Sequence, residues 1–394
     1  MFILQNAQIH TMAGPVIPDG YLYAENGKIL AVGPMSECPA AGGDDVVLDA
    51  EGRWVLPGLV DPHCHLGVFG DGIGFEGDDG NEATDPVTPH LRAIDGIHHA
   101  DRGFSEALAG GVTTVVTGPG SANVIGGQFA ALKTVGRTVD EMAFKAPCAM
   151  KIAFGENPKT VYHEKHQMPI TRMATAAMLR EQLMKAREYG GAQKEYEEDP
   201  EEKDKPEYDM KLEALLPVLR GELVVKAHAH RADDIATALR IRREFGLDMT
   251  IEHATEGWMM ADVLREAGID VILGPLLTDR SKVELRHQEL GAAGKLEAAG
   301  VLPAIMSDHP EVPVQHLLLC AAMAAREGMS EDGALRAVTS RAAEVCRIAD
   351  RVGSLMPGKD ADLIVLSGHP FALRTRVDVT VIEGRIVHIR DKAR

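Results

Sequence analysis

The sequence predicts an α/β protein that combines a TIM-like (β/α)₈ barrel, residues 56–349, with a small β-sandwich domain built from both chain ends, residues 1–55 and 350–394. Two observations predict this architecture. Apolar strand-like runs alternate with amphipathic helical segments through the middle of the chain, which is the pattern of βαβ units in a parallel sheet. Short strand-like runs separated by turn signals occupy both ends, so the two ends are expected to share one domain.

The barrel prediction depends on eight apolar runs spread over roughly 290 residues, where barrels of this kind take about 250. Helical segments with apolar spacing lie between most of them, as in Ala174–Glu188, Ala232–Phe245 and Met259–Glu266. The acidic stretch 194–209 departs from this pattern and is expected to be a solvated surface insertion. The eight runs are Leu59–His65, Thr113–Thr117, Gln128–Lys133, Ala149–Phe154, Leu223–Ala229, Met249–His253, Val271–Gly274 and Ala304–Ser307.

The chain ends carry the turn signals of a β-rich domain. Pro18-Asp-Gly20 predicts a turn, and Asn26-Gly27 and Glu383-Gly384 each predict a hairpin between two strands. Strands at both ends of one chain can pair with each other and tie the termini down. The predicted strands are Phe2–Met12, Tyr21–Ala24, Lys28–Val32, Asp362–Leu366, Val377–Ile382 and Arg385–Ile389.

Composition excludes several classes of function. Lys plus Arg is 41 and Asp plus Glu is 59, a net charge of −18, which argues against nucleic acid or an anionic membrane as a partner. Five scattered cysteines without a CxxC spacing predict neither a disulfide framework nor a zinc ribbon. The chain starts without a signal-peptide pattern and has no apolar run of about 18 residues. We therefore expect a cytoplasmic protein with a small-molecule substrate.

Histidine and aspartate follow the apolar runs at the points where barrel enzymes place their catalytic groups. His63 and His65 are two residues apart on one strand and so point to the same side. His228 closes the fifth run, His253 the sixth, and Asp308 follows the eighth. Four strand ends that each deliver such a residue at one level predict a divalent metal site at the barrel mouth.

On three motifs the chain resembles the amidohydrolase superfamily, in particular its imidazolonepropionase and prolidase-like dipeptidase branch. The resemblance implies that His63, His65, His228 and His253 bind metal, and that Asp308 both binds metal and shuttles a proton. His230 stands where some relatives carry a residue that faces the substrate. The motifs are Leu56-Pro-Gly-Leu-Val-Asp-Pro-His-Cys-His65, Gly110-Gly-Val-Thr-Thr114 and Gly353-Ser-Leu-Met-Pro-Gly-Lys-Asp-Ala-Asp-Leu363.

Lys151, inside the fourth run, leaves the number of ions open. It is either a snorkelling lysine that packs its stem on apolar surface or a carboxylated lysine that bridges two ions, since burial favours the neutral amine that reacts with carbon dioxide. The segment is similar to the fourth-strand lysine of dipeptidase relatives, which implies two ions, of zinc. One ion is the alternative, and Glu156 or Glu252 could supply a carboxylate in place of Lys151.

These residues predict a hydrolase that cleaves a C–N bond of an amide, cyclic amide or small peptide with a metal-activated water. Asp308 would act as general base and then acid, and His253 or His230 could steady the oxyanion. The alternative is a mononuclear aminohydrolase that deaminates a heterocycle. A homo-oligomer is also expected. The predicted substrate contacts are loop residues that follow the strands, and the cations among them could bind a substrate carboxylate. The contacts are Arg231, Asn157, Tyr162, Arg280 and, facing the substrate, His230.

Overall fold

The computed structural model describes residues 1–390, so the last four residues of the predicted 350–394 segment lie outside the described residues. Sixteen strands within that range form two eight-stranded sheets. The strands are β1 (Phe2–Ile9), β2 (Ile17–Glu25), β3 (Lys28–Pro34), β4 (Val46–Asp49), β5 (Trp54–Pro57), β6 (Leu59–Cys64), β7 (Val112–Thr117), β8 (Ile125–Lys133), β9 (Ala143–Ala153), β10 (Val224–Ala229), β11 (Met249–His253), β12 (Asp270–Leu273), β13 (Ala304–Ile305), β14 (Leu363–Leu366), β15 (Val377–Ile382) and β16 (Arg385–Ile389).

The barrel sheet consists of β6 to β13 in chain order, which confirms the predicted fold class. Each of the eight predicted runs coincides with one of its strands. The ring is completed between the last strand and the first by backbone hydrogen bonds from His65 N to His309 O (2.8 Å) and from Asp308 N to His63 O (3.2 Å). This seam brings the ends of β6 and β13 together at the mouth.

The third barrel strand departs from the all-parallel arrangement. β8 pairs antiparallel with both β7 and β9, whereas the other barrel ladders are parallel. Only residues 118–124 connect β7 to β8, and a parallel crossover needs a dozen or more. The expected parallel sheet is therefore interrupted at this strand, and the glycine-rich connection is a hairpin loop at the mouth.

Helices cover the outside of the barrel, and their most marked difference from prediction concerns α4 (Arg172–Glu198). It runs ten residues beyond the predicted Ala174–Glu188, into the acidic stretch, whose remaining residues are exposed and mostly irregular. In residues 1–390 no helix is both long and apolar enough to cross a membrane. The helices are α1 (Arg102–Ala109), α2 (Val139–Met142), α3 (Glu156–Glu164), α4 (Arg172–Glu198), α5 (Met210–Leu219), α6 (Ala232–Phe245), α7 (Ala261–Ala267), α8 (Ala292–Ala298), α9 (Leu317–Arg326), α10 (Glu331–Ala337) and α11 (Ser340–Val345).

The second sheet joins both chain ends, in the order β16-β15-β14-β5-β1-β2-β3 with β4 beside β1. Asn26-Gly27 and Glu383-Gly384 form the predicted hairpins. Pro18-Asp-Gly20, predicted as a turn, lies instead within β2, where the β1–β2 register is irregular and Pro18 has no partner on β3. A proline is tolerated at such an unpaired position because its missing N–H is not needed.

A buried ion cluster attaches this sheet to the barrel. Lys133, at the end of β8, places its Nζ 2.8 Å from Asp360 Oδ2 and 2.5 Å from Asp362 Oδ2. Burial without such partners would cost several kcal/mol per charge, so the lysine and the two carboxylates hold the two sheets in one relative position. The division into residues 1–55, 56–349 and 350–394 remains a prediction.

Candidate active site

The first group of potential ligands lies across the seam between β6 and β13. His63, His65 and Asp308 each offer a ligand atom, and these atoms lie within 4.8 Å of one another. Asp308 Oδ1 is 3.3 Å from His65 Nε2 and 3.7 Å from His63 Nε2. All three side chains are buried. The structure therefore brings Asp308 together with His63 and His65, which precede it by 245 and 243 positions in the sequence.

The second group comes from the ends of β10 and β11. His228, His230 and His253 also place ligand atoms within 4.8 Å of one another. The His228 and His253 rings are 4.2 Å apart, and the His230 and His253 rings 4.4 Å. His230, predicted to face the substrate or to steady the oxyanion, thus lies among the predicted ligands.

Backbone carbonyls fix the orientation of two rings. His65 Nδ1 lies 2.7 Å from Gly118 O, and His253 Nδ1 lies 3.0 Å from Gly274 O. A carbonyl can only accept, so each Nδ1 carries the proton and each Nε2 is left with a free lone pair. This is the usual way in which a metal-binding histidine is held in one tautomer.

Several buried polar atoms in the site lack hydrogen-bond partners among the described residues. They include both ring nitrogens of His228, Nε2 of His253, Oδ1 of Asp308 and Oε1 of Glu284. Buried groups of this kind are normally satisfied, and an ion is one of the recognised reasons when they are not. Imidazole nitrogens and carboxylate oxygens are the donors that zinc and similar divalent ions take, so the residues present fit a metal centre.

The histidines are in the protonation state that metal binding requires. Burial lowers the pKa of His63, His228 and His253 well below the usual value, and lowers the pKa of His230 to about 3. All four rings are neutral at pH 7, and a neutral ring has the lone pair that a ligand must donate.

Lys151 points into the same site from β9. It is completely buried, and its Nζ lies 3.0 Å from His63 Nε2. Burial lowers the pKa of Lys151 to about 8. The two residues considered in its place lie elsewhere: Glu252 contacts His63 Nδ1 (2.7 Å) behind the ring, and Glu156 accepts a backbone hydrogen bond from Glu284.

Two of the proposed ligands have an unusual backbone conformation. His253 has φ 68° and Asp308 has φ 55°, in the left-handed region that side chains with a Cβ rarely adopt. Such strain is typically retained at functional sites, where the surrounding structure holds it in place. At both positions it turns the chain sharply where a strand ends and directs the side chain inward.

A cavity of about 270 Å³ opens over the two groups. Asn157 lines it, as predicted for a substrate contact, and donates from Nδ2 to Ser121 Oγ (2.8 Å). The size of the cavity suits a small molecule. The cavity is lined by His65, Phe69, Asn81, Gly120, Ser121, Asn157, His228, His230, His253, Pro275, Thr278, Ser281, Lys282, Leu285, Asp308, Pro310 and Glu311.

Three predicted substrate contacts are not brought to this cavity. Tyr162 is fully buried, and its hydroxyl donates to Asn123 Oδ1 (2.6 Å). Arg231 is paired with Asp233, and Arg280 is exposed and donates to a backbone carbonyl. Their positions after strand ends suggested contact, but each side chain turns away to a partner of its own.

Sequence reasoning did not single out Glu284, which lies on the loop after β12. It is 1% exposed, with Oε1 3.7 Å from His228 Nε2 and 3.6 Å from His230 Nε2. It has no place in any periodic pattern. The available signal was proximity in sequence to Lys282, a cation on the same loop that lines the cavity.

A barrel with histidines and an aspartate converging at the C-terminal mouth defines the class of metal-dependent hydrolases. The family model that matches, over residues 54–387, is the Amidohydrolase family. The chain belongs to this family, whose members carry out metal-dependent hydrolysis of C–N bonds, as the motifs predicted.

Individual relatives agree with this assignment. The amidohydrolase tasK of Hapsidospora irregularis is 31% identical over 90% of this chain, which spans only 38% of that protein's length. An imidazolonepropionase of Paracoccus denitrificans is 27% identical, and the match covers 98% of this chain and 99% of the length of that protein. The crystal structure of an amidohydrolase from Thermotoga maritima is 42% identical, with a TM-score of 0.94 over 99% of this chain and 100% of its own.

Proposed function

We propose that this protein hydrolyses a C–N bond in a small cyclic amide, N-acyl amino acid or dipeptide, with two zinc ions bridged by carboxylated Lys151. The observation that carries the proposal is the convergence of two separate ligand groups on one cavity. Divalent ions held there supply Lewis acidity, which polarises the scissile carbonyl and lowers the pKa of a water molecule to about 7.

Asp308 is the proposed proton carrier. Its Oδ1 faces His63 and His65, and its Oδ2 lies 3.9 Å from His253 Nδ1. The carboxylate is therefore between the two ligand groups and on the cavity wall. From this position it can accept the proton of the attacking water and pass it to the leaving nitrogen.

The contacts of Lys151 support its proposed carboxylation. A carbamate forms on a neutral amine, and this amine is buried beside a proposed ligand with its pKa lowered to about 8. The carbamate would add anionic oxygens where the two ligand groups meet.

The cavity indicates an anionic group on the substrate. Lys282 lines it, and none of the carboxylates in residues 1–390 lies within 4.0 Å of its amine. The neutral polar residues Asn81, Ser121 and Asn157 line the same space. We propose that Lys282 binds a substrate carboxylate while the amide lies over the histidines.

The test is metal analysis combined with a substrate panel. Purified protein should contain zinc, lose activity with a chelator and regain it with zinc, and should open cyclic amides or release amino acids from N-acyl amino acids or dipeptides. Release of ammonia from a heterocycle by a protein with one ion would support the aminohydrolase alternative instead. Absence of bound metal and of any chelator effect would contradict both. The homo-oligomeric state and the cytoplasmic location remain predictions.

A further inference from the structure

Glu284 is a buried carboxylate for which the proposed chemistry so far has no role. Its side chain is 1% exposed, and no lysine or arginine nitrogen of residues 1–390 lies within 4.0 Å of its oxygens. A buried carboxylate without a counter-charge is costly. Its Oε1 also lacks a hydrogen-bond partner within the described chain. Both facts indicate that a cation belongs beside it.

The distances are those expected between two ligands of one ion. Oε1 lies 3.7 Å from His228 Nε2 and 3.6 Å from His230 Nε2, too far for a hydrogen bond. Zinc binds nitrogen and oxygen at about 2.1 Å in a tetrahedron, which separates neighbouring donors by about 3.4 Å. The three atoms are therefore spaced to share one ion.

The loop that carries Glu284 is fixed from the other side. Glu284 N donates to Glu156 Oε2 (3.1 Å), and Glu156 N donates in return to Glu284 Oε2 (3.0 Å). This reciprocal pair uses Oε2 and leaves Oε1 directed at the histidines. Gly155 is part of the arrangement, because a Cβ there would lie 2.9 Å from Glu284 Oε2.

We infer that Glu284 and His230 are ligands of the second ion and complete, with His228 and His253, a site of three histidines and one carboxylate. The inference rests on the proposed function, which it deepens. It means that the second ion has four protein ligands without Lys151. Its retention is then independent of carboxylation, whereas the first group has three ligands and depends on the carbamate.

The test compares Glu284→Gln with Glu311→Gln. The glutamine keeps the shape of Glu284 and removes its charge, while Glu311 is a carboxylate of the same cavity for which no contact with the histidines is seen. Metal content is measured after dialysis against a weak chelator, and ion positions by anomalous diffraction at the zinc edge. We expect the ion beside His228 to bind at least about 100-fold more weakly in Glu284→Gln, and both ions to be retained in Glu311→Gln. Lys151→Ala should keep the ion beside His228 and hold the ion at His63, His65 and Asp308 more weakly.

The outcomes separate the two proposals. Native crystals in which a Glu284 oxygen lies within about 2.2 Å of the ion support the inference. If Glu284→Gln keeps both ions with unchanged affinity, or if native crystals hold an ion only at His63, His65 and Asp308, the inference is overturned while the hydrolase proposal stands. Protein that binds no ion at all overturns both.

Discussion

Replacement of Lys151 by alanine should abolish most activity and make the remainder dependent on added carboxylic acid. In the native protein, the rate of carboxylation depends on the neutral fraction of the buried Lys151 amine. Its pKa of about 8 rather than 10.5 raises the neutral fraction about 300-fold at a given pH below 8, to about a tenth of the molecules at pH 7. At equal dissolved carbon dioxide, carboxylation of metal-free protein should therefore accelerate about tenfold from pH 7 to pH 9 and then level off, because deprotonation of the amine is nearly complete there.

The assay is reactivation. Metal-free protein is mixed with zinc in buffer without carbon dioxide, and the recovery of activity is followed at several pH values as bicarbonate is added in amounts that give the same dissolved carbon dioxide at each pH. Lys151→Ala should lose at least about 100-fold in kcat/KM and recover in part with acetate or propionate, which supply the missing oxygens.

Lys226→Ala is the matched control. Lys226 is likewise buried, but its amine contacts Glu252 (3.0 Å) and donates to Pro62 O (3.0 Å), so short acids should not rescue its loss. The reasoning would be refuted if reactivation were indifferent to bicarbonate and if Lys151→Ala were as active as the native protein.

Three further predictions concern substrate binding and stability. Lys282→Ala should raise KM about tenfold or more for a carboxylate-bearing substrate. Steady-state kinetics should show kcat, and the KM of an uncharged analogue, nearly unchanged. Gly155→Ala should cost about 1–3 kcal/mol in a thermal melt, because φ is 83° and the Cβ would meet Glu284; Gly221→Ala, with φ 71° in open space, should cost less. Arg347→Ala should cost about 1 kcal/mol at pH 7. Burial alone would raise the pKa of Asp270, but the hydrogen bond from Arg347 and the charge of Arg341 hold that pKa below 3.8. The stabilisation of the folded state by this ion pair is therefore present above pH 3.8 and lost below it. The same difference in melting temperature between variant and native protein at pH 7 and at pH 3 would contradict this prediction.

The sequence was sufficient for the strands and for the convergence of the candidate ligands at their ends. A candidate ligand such as His253 belongs to an apolar run, and the parallel arrangement of such runs dictates which ends meet. Local pattern and tertiary position are therefore linked for these residues. The same reasoning applies to His63 and to Lys151, which is buried near the C-terminal end of its strand.

Features that depend on loops were beyond that reasoning. The antiparallel direction of β8 follows from the short connection at residues 118–124, a matter of length rather than of hydrophobic pattern. Glu284 reaches the histidines through a loop held by Glu156, a contact between residues 128 positions apart. Arg231 and Arg280 follow strands as Glu284 does, yet find partners outside the cavity. Position after a strand thus limits where a side chain can be but does not fix its direction.

The first ligand group lies where the barrel is least supported by its own ladder. β13 is two residues long and pairs with β12 through two residues, and between β13 and β6 the described chain shows backbone hydrogen bonds only at the mouth. An ion held by His63, His65 and Asp308 would cross this same seam. It would link the end of β6 to Asp308, which follows β13, and would therefore help to close the ring where the ladder is short.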